Sequence, residues 1–510
     1  MEKFKKLAIA LCISLTACIV AQSVNAPGLT AAQAATSNPT LKSSKLYVRI
    51  GAKIKIELNN KNSKATYTYK SSDTKIATVA KDGTVSGKKA GNVTITVTQT
   101  LNKKKTEIGK AAVTVQPKLD YDKMIANSLI TTGNNYRMMK AIEKAQNGED
   151  VTVAFIGGSI TEGANATTVQ KSWSYLAYDS FKKAFGKGDG SNVHYVNAGM
   201  SGTPSLLGMV RYERDVAARA ESVPDIVFIE FAVNDGDDTT NGDAFESLVR
   251  NVLNSENQPA VVLIFSVFQS NRWNLQDRLQ PVGEHYNLPM ISIKNAIVPE
   301  LNKTALVDSE FWAGDGWHPI DYGHQLMGDC VTYYFDTVSK ETRAEEDITI
   351  PEEAKIGKSF EGIRMIDSKN IPKGVTVKAG GFSGTDLALG TFKYDYTLKT
   401  FPNNWMHTAT SGNTAFKMTL DCKNLVMVFK KSGDSVNFGY AEVYVDGKLV
   451  KTFAGNGGWN NPRTEVIINE KETAKHTIEI KMVPSKKDKN GKSDNNQKKF
   501  FSILAFGYTD

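Results

Sequence analysis

The 510-residue chain has few cysteines. Only four are present, and Cys12 and Cys18 lie in the first 20 residues. The other two, Cys330 and Cys422, are too few for a disulfide-stabilised scaffold, which needs several pairs in a short chain. They fit either two buried free thiols or a single disulfide between two domains.

Other absences exclude further classes of protein. After the N-terminus, no stretch approaches the roughly 18 consecutive apolar residues of a membrane-spanning helix. No basic segment is interleaved with aromatic residues, so the net charge of +8 does not indicate nucleic-acid binding. No His-Glu-x-x-His motif or Cys/His cluster is present, so we expect neither a metal nor another cofactor.

The N-terminus has the composition of a targeting segment. The basic start MEKFKK precedes the apolar stretch LAIALCISLTACIVA and then small and polar residues, which predicts a secretory signal peptide over residues 1–35. Residues 15–18 (LTAC) also resemble a bacterial lipobox that would leave Cys18 lipidated, but the apolar residues after Cys18 favour plain secretion. We therefore expect a bacterial protein that is secreted or associated with the cell surface.

Residues 40–117 contain short alternating segments and tight-turn signals. In NVTITVTQT, Val93, Ile95 and Val97 share one face, as in a half-buried antiparallel strand. The pattern predicts a small β-sandwich. The stretch SSDTKIATVAKDGTVSGKKAGNVTITVT resembles the bacterial Ig-like group 2 domain, which implies a spacer or adhesion module without catalytic residues.

The pattern changes at about residue 120. Over residues 120–340, apolar runs such as VTVAFIGG and PDIVFIEFAV alternate with helical patterns, which predicts a parallel sheet covered by helices on both faces. A charged linker over residues 341–357 then leads to a strand-rich region, 358–510, predicted as a second β-sandwich of jelly-roll type. The chain is thus predicted to be multidomain.

Ser159 lies at the end of a predicted strand. The segment FIGGSITEG passes from apolar residues to Gly157, Gly158 and the serine. Ligands of open parallel sheets bind beyond the carboxyl ends of the strands, so Ser159 is placed where chemistry is expected. A serine that caps the following helical turn would explain the same residues, and this segment alone does not decide between the two.

A nucleophilic serine needs a base, and the chain contains six histidines. His318, in GDGWHP, lies between the last predicted strand region and the last helix. Asp315 precedes it by three residues, and in a turn its carboxylate can reach one imidazole nitrogen while the other faces the serine. A polar loop stabilised by Asp315 is the alternative.

Acyl transfer also requires donors for the developing oxyanion. The segments NAGMSG and FAVND both follow apolar strands and so end at the same sheet edge as Ser159. Gly202 can present its backbone N–H without a side chain in the way, and Asn234 can offer an amide donor. Each residue alone is an ordinary loop residue, but together they complete an acyl-transfer site.

The four segments FIGGSITEG, NAGMSG, FAVND and DGWHP, in this order over residues 155–319, resemble the signature blocks of the SGNH/GDSL hydrolases. This resemblance implies a three-layer α/β/α, flavodoxin-like domain and a serine nucleophile. The first block has Gly158 where the family usually has aspartate. The roles that the resemblance implies are nucleophile for Ser159, oxyanion donors for the Ser159 N–H, Gly202 (or Gly199) and Asn234, and triad partners for Asp315 and His318.

The substrate is inferred from composition and modular layout. The loops around the predicted site are polar, which suits a sugar better than an acyl chain. Secretion and the two flanking sandwiches resemble the layout of polysaccharide-degrading enzymes. We therefore expect removal of O-acetyl groups from an acetylated polysaccharide of the xylan or mannan type. A cell-wall O-acetyl esterase, a small-ester lipolytic enzyme and a catalytically degenerate sugar-binding or adhesion protein are the alternatives.

Five tryptophans are candidates for sugar stacking, and core packing is the alternative role for each. The C-terminal domain is expected either to bind glycan or to complete the active-site cleft. The five candidates are Trp273, Trp312, Trp317, Trp405 and Trp459.

Overall fold

The computed structural model describes residues 38–220, 223–301, 311–312 and 314–510. The signal peptide predicted over residues 1–35 therefore lies outside the described residues. The chain divides into two compact units, one ending at Pro117 and one beginning at Lys118. In the described part of the chain, no helix is both long and apolar enough to cross a membrane.

The N-terminal unit is an Ig-like β-sandwich. Its core consists of alternating strand residues such as Val93, Ile95 and Val97, as the sequence pattern predicted. Its strands are β1 (Thr40–Leu41), β2 (Lys45–Arg49), β3 (Lys53–Lys55), β4 (Leu58–Asn59), β5 (Thr66–Ser71), β6 (Ala77–Val79), β7 (Thr84–Gly87), β8 (Gly91–Leu101) and β9 (Lys104–Gln116). One sheet has the order β2-β9-β8-β5 and a second has the order β3-β7-β6.

The second unit begins with an α/β domain. Its strands are β10 (Leu129–Thr131), β11 (Val151–Gly157), β12 (Val193–Gly199), β13 (Ile226–Glu230), β14 (Ala260–Phe265) and β15 (Met290–Ser292). Its described α-helices are α1 (Tyr121–Ser128), α2 (Tyr136–Asn147), α3 (Ser159–Glu162), α4 (Trp173–Phe185), α5 (Ser205–Asp215), α6 (Asp243–Leu253), α7 (Gln276–His285), α8 (Ile293–Leu301) and α9 (Asp321–Val338).

The sheet of this domain has the order β10-β15-β14-β13-β11-β12. Strands β11 to β15 are parallel, whereas β10 pairs with β15 in the antiparallel direction. The all-parallel sheet that we expected is therefore mixed. The difference lies at the edge of the sheet, where β10 is a strand of only three half-buried residues.

Helices cover both faces of the sheet. In β11, Val153 and Phe155 point to one apolar core and Ala154 and Ile156 point to the other, because successive strand residues face opposite sides. Helices α1, α2, α4, α8 and α9 pack on the first face and α5, α6 and α7 on the second. The three-layer α/β/α arrangement expected from the sequence is confirmed.

The C-terminal domain is rich in strands. They are β16 (Arg364–Ile366), β17 (Thr376–Lys378), β18 (Thr391–Phe392), β19 (Asp395–Lys399), β20 (Trp405–His407), β21 (Phe416–Lys431), β22 (Tyr440–Val445), β23 (Lys448–Ala454), β24 (Asn461–Met482) and β25 (Phe501–Thr509). The long strand β21 has an irregularity between Cys422 and Asn424. Before it, β21 pairs with β17, and after it, with β25. The strand therefore joins these partners in one eight-stranded sheet, whose side chains form an apolar core.

The α/β and C-terminal domains share a continuous apolar core. Leu206 and Val210 of α5 belong to the same cluster as Val428 and Leu504 of the C-terminal sheet. A side chain at Gly507 of β25 would meet Val210 at 2.7 Å. The C-terminal sandwich is thus packed directly on the helix layer that carries α5.

The segment 341–357, expected as a linker, packs against the α/β domain. Arg137 donates hydrogen bonds of 2.8 and 3.1 Å to Asp347, and the buried Glu246 carboxylate accepts from the backbone N–H groups of residues 355–357. Ile348 is buried in the shared core. The segment is therefore held on the α/β domain by Asp347, by its backbone and by Ile348, whereas several of its charged side chains are exposed. These are Glu345, Glu346, Glu352, Glu353 and Lys355.

Candidate active site

Ser159 is the first residue of α3, directly beyond the end of β11. The two glycines before it are required by close packing. A Cβ on Gly157 would overlap Thr161, and a Cβ on Gly158 would overlap the side-chain amide of Asn234. The glycine found in place of the family's usual aspartate therefore leaves room for Asn234 beside the serine.

His318 connects Ser159 to Asp315. Its Nε2 lies 2.9 Å from Ser159 Oγ, and its Nδ1 lies 2.8 Å from Asp315 Oδ2. The other Asp315 oxygen accepts from the backbone N–H groups of Trp317 at 2.8 Å and His318 at 3.1 Å. This Asx-type turn explains how a spacing of three residues brings the carboxylate to the imidazole.

Asp315 is held in its charged form. Partial burial acts to raise its pKa, but the hydrogen bonds from His318 and from the backbone N–H groups of Trp317 and His318 outweigh that effect, and the pKa lies below its ordinary value. A carboxylate at Nδ1 fixes the imidazole with Nε2 free to accept the serine proton, and it stabilises the imidazolium that forms.

Gly202 and Asn234 lie at the ends of the strands on either side of Ser159. Strand β11 is flanked by β12 and β13, and Gly202 and Asn234 follow these two strands. Gly202 has a φ of +65°, a conformation that favours glycine. The N–H of Gly199 is donated to Asn197 Oδ1 at 2.7 Å, so the geometry favours Gly202 over Gly199 as an oxyanion donor.

Two buried carboxylates beneath the site were not identified from the sequence. Glu230 accepts a hydrogen bond of 2.9 Å from Thr161 Oγ1, and Asp235 accepts one of 2.7 Å from the Ser205 N–H at the start of α5. Burial raises the pKa of each to about 7. A glutamate inside the apolar run VFIEFAV was the signal that could have indicated Glu230.

Two other histidines of this domain have structural surroundings. His324 is buried, its Nε2 lies 2.9 Å from the Ala164 carbonyl, and its Nδ1 accepts from the Trp173 N–H at 3.3 Å. Burial lowers its pKa to about 4, so the ring is neutral near pH 7. His194 lies 3.0 Å from Asp150 near the start of β12, at the opposite edge of the sheet.

Two recesses flank Asn234. A groove of about 410 Å³ lies between the α/β and C-terminal domains and is lined by Gly202 and Asn234 on one side and by Lys431 and Arg463 on the other. A smaller recess of about 330 Å³ is lined by Asn234 and aromatic side chains. The two recesses therefore share Asn234, whose side chain lies beside Gly158, the residue before Ser159. The aromatic side chains of the smaller recess are Phe268, Trp273 and Trp317.

The candidate tryptophans differ in exposure. Trp317 is 45% exposed and Trp459 is 56% exposed, whereas Trp312 and Trp405 are buried. A Cβ at Gly202 would lie 2.5 Å from the Trp459 ring. The C-terminal domain therefore places an aromatic ring directly beside the predicted oxyanion donor.

Cys330 and Cys422 are free thiols. Cys330 is buried in the core of the α/β domain and Cys422 in the core of the C-terminal sandwich. The structure therefore supports two buried free thiols and not a disulfide between the two domains.

Comparison with known proteins agrees with this geometry. Residues 155–326 match the GDSL-like lipase/acylhydrolase family, and residues 36–108 match the bacterial Ig-like domain (group 2). No curated protein sequence matches the chain. The chain is similar to a two-domain esterase (CEX) active on acetylated mannans, solved with mannopentaose, at 27% identity and a TM-score of 0.62 over 77% of this chain and 99% of that one.

A second crystal structure of a two-domain esterase (CEX) active on acetylated mannans matches at 26% identity, with a TM-score of 0.62 over 77% of this chain and all of the other. The family match includes the serine, histidine and aspartate that the fold brings into contact. We conclude that the α/β domain belongs to the GDSL-like lipase/acylhydrolase family, that the N-terminal domain is a group 2 bacterial Ig-like domain, and that the chain is a carboxylic ester hydrolase.

Proposed function

We propose that the protein is a secreted esterase that removes O-acetyl groups from a hemicellulose, with mannan-type chains favoured and xylan-type chains second. The observation that carries this proposal is the hydrogen-bonded series from Ser159 through His318 to Asp315. Asn234, which lines two recesses, supports it. The similar two-domain esterase is active on acetylated mannans, which supports the choice of polysaccharide.

The proposed reaction has two acyl-transfer steps. Ser159 Oγ attacks the acetyl carbonyl carbon while His318 Nε2 takes the hydroxyl proton. The N–H groups of Ser159 and Gly202 and the amide of Asn234 hold the oxyanion. Collapse of this intermediate breaks the bond to the sugar oxygen, which receives the proton from His318. Water then gives a proton to His318 and attacks the acetyl-serine, which releases acetate and restores the serine.

The shape and lining of the site support a sugar substrate. An acetyl group needs little space, whereas a polysaccharide must extend on both sides of the reacting ester. The exposed rings of Trp317 and Trp459 offer flat apolar surfaces for sugar rings, and Lys431 and Arg463 offer hydrogen-bond donors for hydroxyl groups. A few polar groups at fixed positions in a pocket orient the ligand and give specificity.

Acetate release from a panel of polymers tests this proposal. Acetylated mannan, xylan, pectin and peptidoglycan are compared with an aryl acetate, using wild type and Ser159→Ala. We expect release from mannan or xylan by wild type and none by Ser159→Ala. Ser191→Ala, which removes an exposed hydroxyl away from the triad, serves as the matched control.

The other outcomes identify the alternatives. Release from peptidoglycan alone would indicate a cell-wall O-acetyl esterase, and hydrolysis of the aryl acetate alone would indicate a small-ester enzyme. An inert wild-type protein would contradict the catalytic proposal and favour a sugar-binding role.

A further inference from the structure

The hairpin β18–β19 of the C-terminal domain lies on the α/β domain. The guanidinium of Arg219 is 4.1 Å from the centroid of the Phe392 ring and 4.9 Å from that of Tyr394. Arg214 donates a hydrogen bond of 2.7 Å to the carbonyl of Thr400, just beyond the hairpin. These contacts on both sides fix the position of the residue between the two rings.

That residue is Lys393, and its ammonium group reaches the loop that follows the nucleophile. Nζ donates to the carbonyl of Gly163 and, at 3.3 Å, to the carbonyl of Ala166. Lys393 is half-buried. Burial acts to lower its pKa, while the carboxylates of Glu162 and Asp321 act to raise it, and burial prevails.

The groups around this ammonium are connected to the reacting atoms. The N–H groups of Gly163 and Ala164 donate to the carbonyl of Ser159 at 3.1 and 2.9 Å, so the loop closes on the nucleophile's own backbone. Glu162 accepts a hydrogen bond from Ser201 Oγ, and Ser201 directly precedes Gly202.

The same loop approaches the acid of the triad. The side-chain amide of Asn165 lies 3.5 Å from Asp315 Oδ2, and Asn165 is flanked by the residues that Lys393 and His324 contact. The ammonium of Lys393 therefore contacts one short loop that borders the nucleophile and the triad aspartate, and it faces a carboxylate bound to the turn of the oxyanion donor.

We propose that Lys393 is a positioning residue through which the C-terminal domain holds the nucleophile loop and the oxyanion turn in register. A charged donor makes stronger hydrogen bonds to carbonyl and carboxylate oxygens than a neutral donor, and the carbonyls it satisfies lie in a partly buried site. The proposal rests on the hydrolytic function proposed above, and it assigns to the C-terminal domain a part in catalysis that is independent of glycan binding.

Replacement of Lys393 tests this role with a small ester substrate. Because this substrate contains no sugar, its hydrolysis does not depend on glycan binding. For Lys393→Met we expect kcat with 4-nitrophenyl acetate to fall about 10- to 100-fold, the range for a small misplacement of reacting groups, with KM unchanged. Lys393→Arg, which retains the charge, should recover part of kcat. Lys399→Met removes an exposed lysine from the same hairpin and should leave kcat unchanged.

A double-mutant cycle tests the route of the effect. Glu162→Gln should also lower kcat, and because the two residues share one network, the loss in Lys393→Met/Glu162→Gln should be smaller than the product of the single losses. Thermal unfolding of each variant checks that the fold is retained.

Each contrary result is distinguishable from failure of the proposed function. An unchanged kcat in Lys393→Met, equal losses in Lys393→Met and Lys399→Met, or fully multiplicative losses in the cycle would overturn the role of Lys393. A wild-type enzyme that hydrolyses the aryl acetate but releases no acetate from any polymer would instead overturn only the proposed substrate.

Discussion

Two histidine–aspartate pairs in this protein share the same short contact but differ in what surrounds them. In the α/β domain, His318 Nδ1 lies 2.8 Å from Asp315 Oδ2, and in the C-terminal sandwich, His476 Nδ1 lies 2.8 Å from Asp446 Oδ2. The second nitrogen of His318 faces the Ser159 hydroxyl at 2.9 Å. The second nitrogen of His476 faces the Glu470 carboxylate at 3.6 Å.

From this difference we expect catalysis only from the His318 pair, because a histidine–carboxylate contact is not by itself a catalytic signal. The Asp446 carboxylate also accepts from the Thr477 N–H at 2.8 Å, so the His476 pair connects the turn after β22 to strand β24 and has a structural role. The His318 pair lies where three parallel strands end, beside a serine and the predicted oxyanion donors. The His318 pair therefore differs from the His476 pair in two ways: it lies at the carboxyl edge of the sheet, and it has Ser159 beside it.

The largest predicted effect comes from exchanging the two histidines for the same amide. His318→Gln should lower kcat with 4-nitrophenyl acetate by about 10⁴-fold or more, because loss of a triad base removes the cooperative action of the triad. His476→Gln should leave kcat unchanged and lower the melting temperature. Comparable loss of activity in both variants would contradict the assignment of one pair to catalysis and the other to structure.

A smaller loss of kcat is expected when an oxyanion donor is removed. Of the two histidine–aspartate pairs, the His318 pair is the one with predicted oxyanion donors beside it. Asn234→Ala should lower kcat by about 10²- to 10³-fold, the usual cost of one such donor, with little change in KM. Asn197→Ala, which removes a buried amide whose oxygen accepts the Gly199 N–H, provides a comparison. An Asn234→Ala variant with normal kcat would remove Asn234 from the site.

Much of this site could be predicted because its signals are local. Apolar strands that end in glycine, serine or asparagine place Ser159 and Asn234 at one edge of a parallel sheet. The turn GDGWH brings Asp315 to His318 within four residues. In the N-terminal domain, strict alternation along β8 predicts which face of the strand is buried. Each of these patterns lies within a few consecutive residues. It therefore predicts local structure without knowledge of contacts between distant segments.

The remaining parts of the site depend on contacts between distant segments. Lys393 reaches Gly163 across 230 positions, and Trp459 lies against Gly202 from another domain, although neither residue has a distinctive local pattern. The short edge strand β10 has no alternation from which its antiparallel direction could be inferred. Trp405 and Trp459 are equivalent candidates in the sequence, and only the fold shows that Trp405 is buried and Trp459 exposed.

Trp459 offers a test of whether the C-terminal domain contributes to polymer binding at the His318 site. Trp459→Ala should raise KM for acetylated polysaccharide several-fold, since stacking on an exposed ring is lost, and should change kcat/KM for the aryl acetate much less. The exposed Tyr396 of the same domain provides the control Tyr396→Ala. Equal effects on both substrates would show that Trp459 shapes the oxyanion turn and does not bind the polymer.

The smallest predicted effect is a change in the free energy of unfolding, which we expect for both histidine–aspartate pairs. The pKa values of both Asp315 and Asp446 lie below the ordinary value of 3.8, in each case because hydrogen bonds from backbone N–H groups and from the paired histidine outweigh the effect of partial burial. A carboxyl with a lowered folded-state pKa binds fewer protons in the folded chain, so its contribution to stability is present above pH 3.8 and is lost as the pH falls through the folded-state value.

Urea unfolding of wild type, Asp315→Asn and Asp446→Asn measures this contribution between about pH 2 and pH 6, the range in which acidic groups lose their contribution. Wild type should exceed each variant in unfolding free energy near pH 6, and the two differences should shrink as the pH falls below about 4. At pH 7, kcat should fall sharply in Asp315→Asn and stay normal in Asp446→Asn. Similar electrostatics with unequal catalysis would show that the carboxylate stabilises both pairs, whereas the serine at the strand end makes only one of them reactive.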